Sequence, residues 1–228
     1  MTATASNFSV TMRQLADEFQ ELTGQPIAVF SGSTGKHYAQ ILNGAPFDLF
    51  FAADRERPER LEREGLAVAG SRFTYALGIL VLWSPTSDFV DPAGAVLRRG
   101  DVRFLSIANP ELAPYGRAAL EVIEALDLSA SLRGRLVRGE NVAQAFQFVH
   151  SGNAELGFVA LSLLQGDESK PEGSYWHVDR RLYSPIEHKA VRLSDHPAAR
   201  EFMDYLRSPG AVAKIRAHGY HVPEGSPP

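Results

Sequence analysis

The stretch Val29-Phe30-Ser31-Gly32-Ser33-Thr34-Gly35-Lys36 decides how this chain is read, because an apolar strand-like run ends there in a glycine-flanked hydroxyl turn and an amphipathic helix follows at once. The first backbone N–H groups of a helix have no partner within it and carry the positive end of the helix dipole. A turn that sets Ser33 and Thr34 beside such groups is a receptor for a small anion. The pattern also approaches a phosphate-cradling nucleotide loop, but Phe30 replaces the first glycine of that loop and His37 its final Ser or Thr, so the nucleotide reading is rejected. The plain alternative is a glycine-rich surface turn between a strand and a helix.

Outward from this turn, Met12, Leu15, Ala16, Phe19 and Leu22 recur at helical spacing and stop at Thr23-Gly24, which predicts a helix behind the polar turn Ser6-Asn7-Phe8-Ser9. A strand is expected over 27–30, a short helix on Tyr38, Ile41 and Leu42 ending at Asn43-Gly44, a buried strand over 47–53 and a helix over 58–64 closed by Gly65. Such alternation indicates a parallel, doubly wound sheet with helices on both faces. The apolar run over 73–83 has Gly78 in its middle and reads as one long strand crossing from one lobe to another. The alternation then repeats, with a strand over 105–108, a helix after Pro114-Tyr115-Gly116 through Leu126, a helix over 141–150 and a strand over 156–159. After a loop over 165–173, an extended segment over 183–193 leads into terminal helices over 197–206 and 209–218, with a return crossing over 183–187.

The expected fold is therefore α/β and two-lobed, with 1–79 and 185–228 in one lobe and 80–184 in the other, each a doubly wound, mainly parallel sheet, hinged by two crossing strands. In open α/β sheets ligands bind beyond the carboxyl ends of the strands, which places a ligand cleft between the lobes. Four helix starts would face it: Ser6-Asn7, Thr34-Gly35, Tyr115-Gly116 and Asn141-Val142.

Composition limits the chemistry. The 228 residues carry 23 Lys and Arg against 27 Asp and Glu, a net charge of −4 with the signs interspersed, which argues against nucleic acid and against adhesion to an anionic membrane. An anion must then be attracted locally. No cysteine is present, so disulfides and thiolate metal sites are excluded. No apolar run approaches the roughly 20 residues of a membrane span, and Met1-Thr2-Ala3-Thr4 has neither the basic segment nor the apolar core of a secretion signal. The seven histidines are scattered without a partner that would make a nucleophile–base pair, so no enzyme, catalytic residue or cofactor is expected. His218 and His221 straddle Gly219 and read as a solvated helix end, not a metal pair. Asp48 reads as a strand-edge residue and Asp54 as a helix cap, not as a catalytic pair, and the glycosylation-type triplet Asn7-Phe8-Ser9 falls inside the proposed site and is discounted. Each site candidate has a purely structural reading too: Ser6, Asn7 and Asn141 as helix caps, Tyr115 as a half-buried loop aromatic.

Ala3–Phe8 (ATASNF), Ser31–Gly35 (SGSTG), 38–54 (YAQILNGAPFDLFFAAD), 107–116 (IANPELAPYG), 140–144 (ENVAQ) and 151–160 (SGNAELGFVA), in that order, resemble the periplasmic molybdate-binding proteins of ABC importers, a branch of the type II solute-binding fold. The resemblance implies a monomer that captures molybdate or tungstate and delivers it to a membrane permease and its ATPase, in the periplasm. It implies an oxyanion held by neutral donors only: Ser6, Asn7, Thr34, Tyr115 and the backbone N–H of Val142, with no metal cation bound directly. Thr34 stands where serine is more usual, which keeps the hydroxyl and adds a methyl. One branch of the family has a tyrosine after the Gly-Phe-Val strand, but here Ala160-Leu161 stands there, so the tyrosine donor is Tyr115. The family opens with a strand ahead of the Ala-x-Asn-Phe turn, and this chain starts almost inside it, which implies that a signal peptide and a few mature residues are absent; a different choice of start codon would look the same.

An all-donor pocket suits molybdate and tungstate, which are proton-free dianions at neutral pH. Hydrogenphosphate keeps a proton that would find no acceptor there. Sulfate is also a proton-free dianion, so cavity size alone would exclude it; binding of sulfate, or an oxyanion-sensing role, is the alternative reading.

Overall fold

The computed structural model describes residues 1–100, 102–166 and 171–223; residues 167–170 of the expected loop and 224–228 lie outside the described residues. Its strands are β1 (Thr2–Ala5), β2 (Val29–Gly32), β3 (Leu49–Ala52), β4 (Phe73–Gly78), β5 (Leu80–Ser84), β6 (Leu105–Ala108), β7 (Leu136–Gly139), β8 (Leu156–Ala160), β9 (Ser174–His177) and β10 (Ile186–Arg192). Its α-helices are α1 (Ser9–Thr23), α2 (Thr34–Leu42), α3 (Glu56–Arg63), α4 (Pro114–Ala125), α5 (Val142–His150), α6 (Ser162–Gln165), α7 (Pro197–Tyr205) and α8 (Pro209–Ala217). The chain divides into two units, Met1–Gly78 with Ile186–Pro228, and Ile79–Pro185.

The first unit holds a sheet in the order β2-β1-β3-β10-β4. β1 runs parallel to β2 and β3, and β10 pairs antiparallel with both β3 and β4. Period-two alternation explains why β3 is apolar throughout: Leu49 and Phe51 join the α1 side with Phe8, Met12, Leu15 and Phe19, while Phe50 and Ala52 join Ala3, Ile41 and Leu61 on the other face. Burying each such large side chain stabilises the fold by roughly 1.5–3 kcal/mol. Helix α1 stops at Gly24, whose φ of +74° closes the last turn in the left-handed conformation.

The second unit repeats the plan as β7-β6-β8-β5-β9. β6 is parallel to β7 and β8, while β5 is antiparallel to β8 and β9. Trp83 of β5 is buried and stacks on Phe146 of α5 at 5.0 Å. Each sheet thus joins a parallel triad to one reversed strand, β10 in the first and β5 in the second, beyond which the outer strand, β4 or β9, runs with the triad again.

Three sequence expectations are corrected. The run over 73–83 is two strands, because β4 pairs in the first sheet and β5 in the second, with Ile79 between them. Leu22 has helical spacing but is 73% exposed, beyond the reach of the core stripe. The opening strand is present in the chain: Thr2–Ala5 forms β1, held between two neighbours and buried at every residue.

Candidate functional site

In the first unit the register sets the carboxyl ends of three strands side by side: Ala5 pairs with Gly32, and Thr4 with both Ser31 and Phe51. The turns leaving these strands therefore gather at one sheet edge. After β1 comes a short 3-10 turn, Ser6–Phe8, in which Phe8 is fully buried against Tyr75 at 4.7 Å and Tyr220 at 5.4 Å. That aromatic anchor holds Ser6 and Asn7 at the strand end. Neither serves as a helix cap: no side-chain cap bond closes the turn or α1, the Ser6 carbonyl accepts from Ser9 Oγ at 2.9 Å, and Asn7 Nδ2 donates to Tyr220 Oη at 2.8 Å.

After β2, Ser33 caps α2 by accepting from the Lys36 N–H at 3.3 Å, and Thr34 is the first helical residue. The N–H groups of Thr34 and Gly35 belong to the first turn and have no partner within the helix. Thr34 Oγ1 accepts from the N–H of Ala53, just beyond β3, at 3.0 Å, which leaves a hydroxyl proton that can only be donated. Asp54, next in the chain, accepts from the Arg57 N–H in the first turn of α3 at 3.1 Å and pairs with its guanidinium, although the residue at the N-cap position is Arg55.

Lys36 is exposed. His37, which occupies the Ser/Thr position of a nucleotide loop, is buried and hydrogen-bonds Gln40 at 3.0 Å. Its ring lies so close over Gly32 that a Cβ there would stand 2.8 Å from Nε2, so the histidine fills space that only glycine leaves open. Desolvation lowers the His37 pKa below the ordinary 6.5 and keeps the ring neutral.

In the second unit Ala108 and Gly139, the ends of β6 and β7, pair in register, and Asn109 N–H donates to the Gly139 carbonyl at 2.6 Å. Helix α4 starts with Pro114 and Tyr115. A Cβ on Gly116 would lie 2.2 Å from the Ala108 carbonyl oxygen, so the helix start rests directly on the strand end. Across the same edge, Asn141 caps α5 by accepting from Gln144 N–H at 3.0 Å, and Val142 is the first helical residue. Tyr115 is 1% exposed, fully buried and not the half-buried loop aromatic of the structural alternative.

The structure thus brings Ser6, Asn7 and Thr34 to one sheet edge and Tyr115 and Val142 to one edge of the other sheet. All five are buried. Ser33 stood in the hydroxyl turn read from the sequence, whereas Ala53 and Tyr220 were not singled out, and nothing local marks them. Among the described residues, no group of three or more His, Cys, Asp or Glu could hold a metal ion.

Residues 2–221 match the model of the bacterial extracellular solute-binding protein family. The chain belongs to this family. It is 50% identical over 221 residues to a molybdate-binding protein ModA of Azotobacter vinelandii, covering 96% of this chain and 88% of the relative. It is 43% identical over 223 residues to a molybdate-binding protein ModA of Rhodobacter capsulatus, covering 96% and 87%. Its fold superposes with a TM-score of 0.94 on the solved periplasmic molybdate-binding protein of Azotobacter vinelandii, at 43% identity and with 98% and 99% of the two chains covered.

Proposed function

We propose that this solute-binding protein captures molybdate, with tungstate as an equivalent ligand, and delivers it in the periplasm to the permease and ATPase of an ABC importer. The observation that carries the chemistry is the buried neutral donor set at two sheet edges, Ser6, Asn7 and Thr34 on one and Tyr115 and Val142 on the other. The relatives' molybdate binding supports the choice of anion. In this reading the protein acts as a monomer without catalysis. Hydroxyl, amide and helix-start N–H donors from both units surround a proton-free dianion, whose charge they neutralise with dipoles and not with a counter-ion. A dianion held by one unit alone keeps part of its oxygen shell in water, so the reading requires both donor groups.

Isothermal titration with molybdate, tungstate, sulfate and phosphate tests function and selectivity together. Molybdate and tungstate are expected to bind at least about a thousandfold more tightly than sulfate, a gap of roughly 4 kcal/mol. Equal binding of sulfate and molybdate would overturn the selectivity, and absence of molybdate binding would overturn the function.

A further inference from the structure

The C-terminal segment reaches back to the donor turn from the far end of the sequence. Helix α8 ends at Ala217, and Gly219, with φ of +82°, turns the chain so that Tyr220 enters the core at 4% exposure. Its ring is gripped edge-on by Phe8 and by His188, both at 5.4 Å. Its hydroxyl accepts from Asn7 Nδ2 at 2.8 Å and donates to the Asn7 carbonyl oxygen at 2.8 Å. One group therefore holds the main chain and the side chain of the same residue. The next residue, His221, exchanges both backbone hydrogen bonds with Leu77 of β4, at 2.6 and 3.1 Å, which fixes the segment against the sheet.

The direction of these bonds has a chemical consequence. A phenol has one proton, and here it is committed to the Asn7 carbonyl. Tyr220 Oη can then only accept from the Asn7 side chain, so it must face the nitrogen and not the oxygen of that amide. Rotation of the amide by half a turn would set two acceptors against each other. A site built for a proton-free dianion has the same requirement, since an amide that presents its carbonyl oxygen to the anion repels it.

We propose that Tyr220 is a positioning residue for oxyanion binding, whose hydroxyl fixes the turn Ser6–Phe8 and the amide polarity of Asn7. This rests on the reading of Ser6 and Asn7 as ligand donors. The residue does not touch the anion; it acts through Asn7.

The test is a double-mutant cycle read by titration calorimetry with molybdate on the native protein, Tyr220→Phe, Asn7→Ala and the double variant. Tyr220→Phe keeps the ring contacts and removes only the hydroxyl. It is expected to weaken binding at least tenfold, and the loss in the double variant is expected to fall short of the product of the two single losses by threefold or more, because both changes act on one element. A Tyr220→Phe loss below tenfold overturns the proposal, as does a double variant within threefold of the product, which is what a merely structural tyrosine would give. If Tyr220→Phe does not fold, Tyr220→Leu, which can neither donate nor accept a hydrogen bond, takes its place under the same thresholds. Native protein that takes up no molybdate would sink the proposed function together with this inference, whereas intact native binding with an unaffected Tyr220 variant sinks the inference alone.

Discussion

Thr34 Oγ1 accepts a hydrogen bond from the backbone N–H of Ala53 at 3.0 Å, joining the helix start after β2 to the chain beyond β3. Both residues are buried, at 1% exposure each, so neither group can turn to water if the other is removed. Thr34→Val keeps the shape and deletes the hydroxyl. It is expected to lower the stability of the unliganded protein by about 1–3 kcal/mol, the cost of an orphaned buried donor, and to weaken molybdate binding at least tenfold. Thr34→Ser retains the hydroxyl and should lose little of either. Urea denaturation and calorimetry check the pair of variants; an unchanged midpoint in Thr34→Val would mean the bond is not a stabilising contact.

Tyr115→Phe separates binding from folding at the other donor edge. The phenol is the only aromatic donor in the proposed site, and a hydrogen bond to a charged group contributes about 1.5–3 kcal/mol. Molybdate affinity should fall by that amount while the melting temperature of the unliganded protein stays nearly constant. Unchanged affinity removes Tyr115 from the site.

Gly116 gives a prediction whose sign is informative. In an open helix, Gly→Ala stabilises by several tenths of a kcal/mol or more. At Gly116 the added Cβ would meet the Ala108 carbonyl oxygen at 2.2 Å and the Ala108 carbonyl carbon at 2.8 Å, both backbone atoms that cannot swing aside. Gly116→Ala is therefore expected to destabilise by about 1–3 kcal/mol and to weaken molybdate binding through displacement of Tyr115. A stabilised variant would show that α4 does not rest on β6 as described.

Local chemistry made much of this legible. The hydroxyl turn 31–35 did sit between a strand and a helix, and Gly24 did close α1, because each depends on a few neighbouring residues. The short Thr2–Ala5 has little strand signal of its own and becomes β1 through pairing on both sides. The edge strands β7 and β9, four residues each and paired on one side only, also passed unread. Ile79 divides the 73–83 run where hydropathy is continuous, since what separates β4 from β5 is the choice of sheet partner. Tyr220 is 213 positions from Asn7, so no spacing rule could join them.

The last prediction concerns acid. His188, on β10, is fully buried; Tyr75 Oη lies 3.3 Å from its Nδ1, and the rings of Tyr75 and Tyr220 stand edge-on to it at 5.5 and 5.4 Å. Desolvation lowers its pKa from 6.5 to about 3. The folded protein thus holds His188 neutral where the unfolded chain would protonate it, so its contribution to stability is complete above about pH 6.5 and is lost as pH falls from there toward 3. His37 and His218 are depressed in the same direction, also mainly by desolvation. Glu18, Asp48 and Glu59, whose pKa values are likewise lowered, begin from ordinary values of 4.5, 3.8 and 4.5 and add their losses only at lower pH. Between about pH 6 and 5 the histidines therefore act largely alone, and each fully titrating one removes up to about 1.4 kcal/mol of stability per pH unit. Urea unfolding of the unliganded protein across this window should show a falling stability. His188→Gln, which cannot titrate, should show a slope shallower by about that amount, whatever its absolute stability. Parallel slopes in the two proteins would mean that His188 is protonated alike in the folded and unfolded states, and the buried, neutral histidine beneath Tyr220 would have to be abandoned.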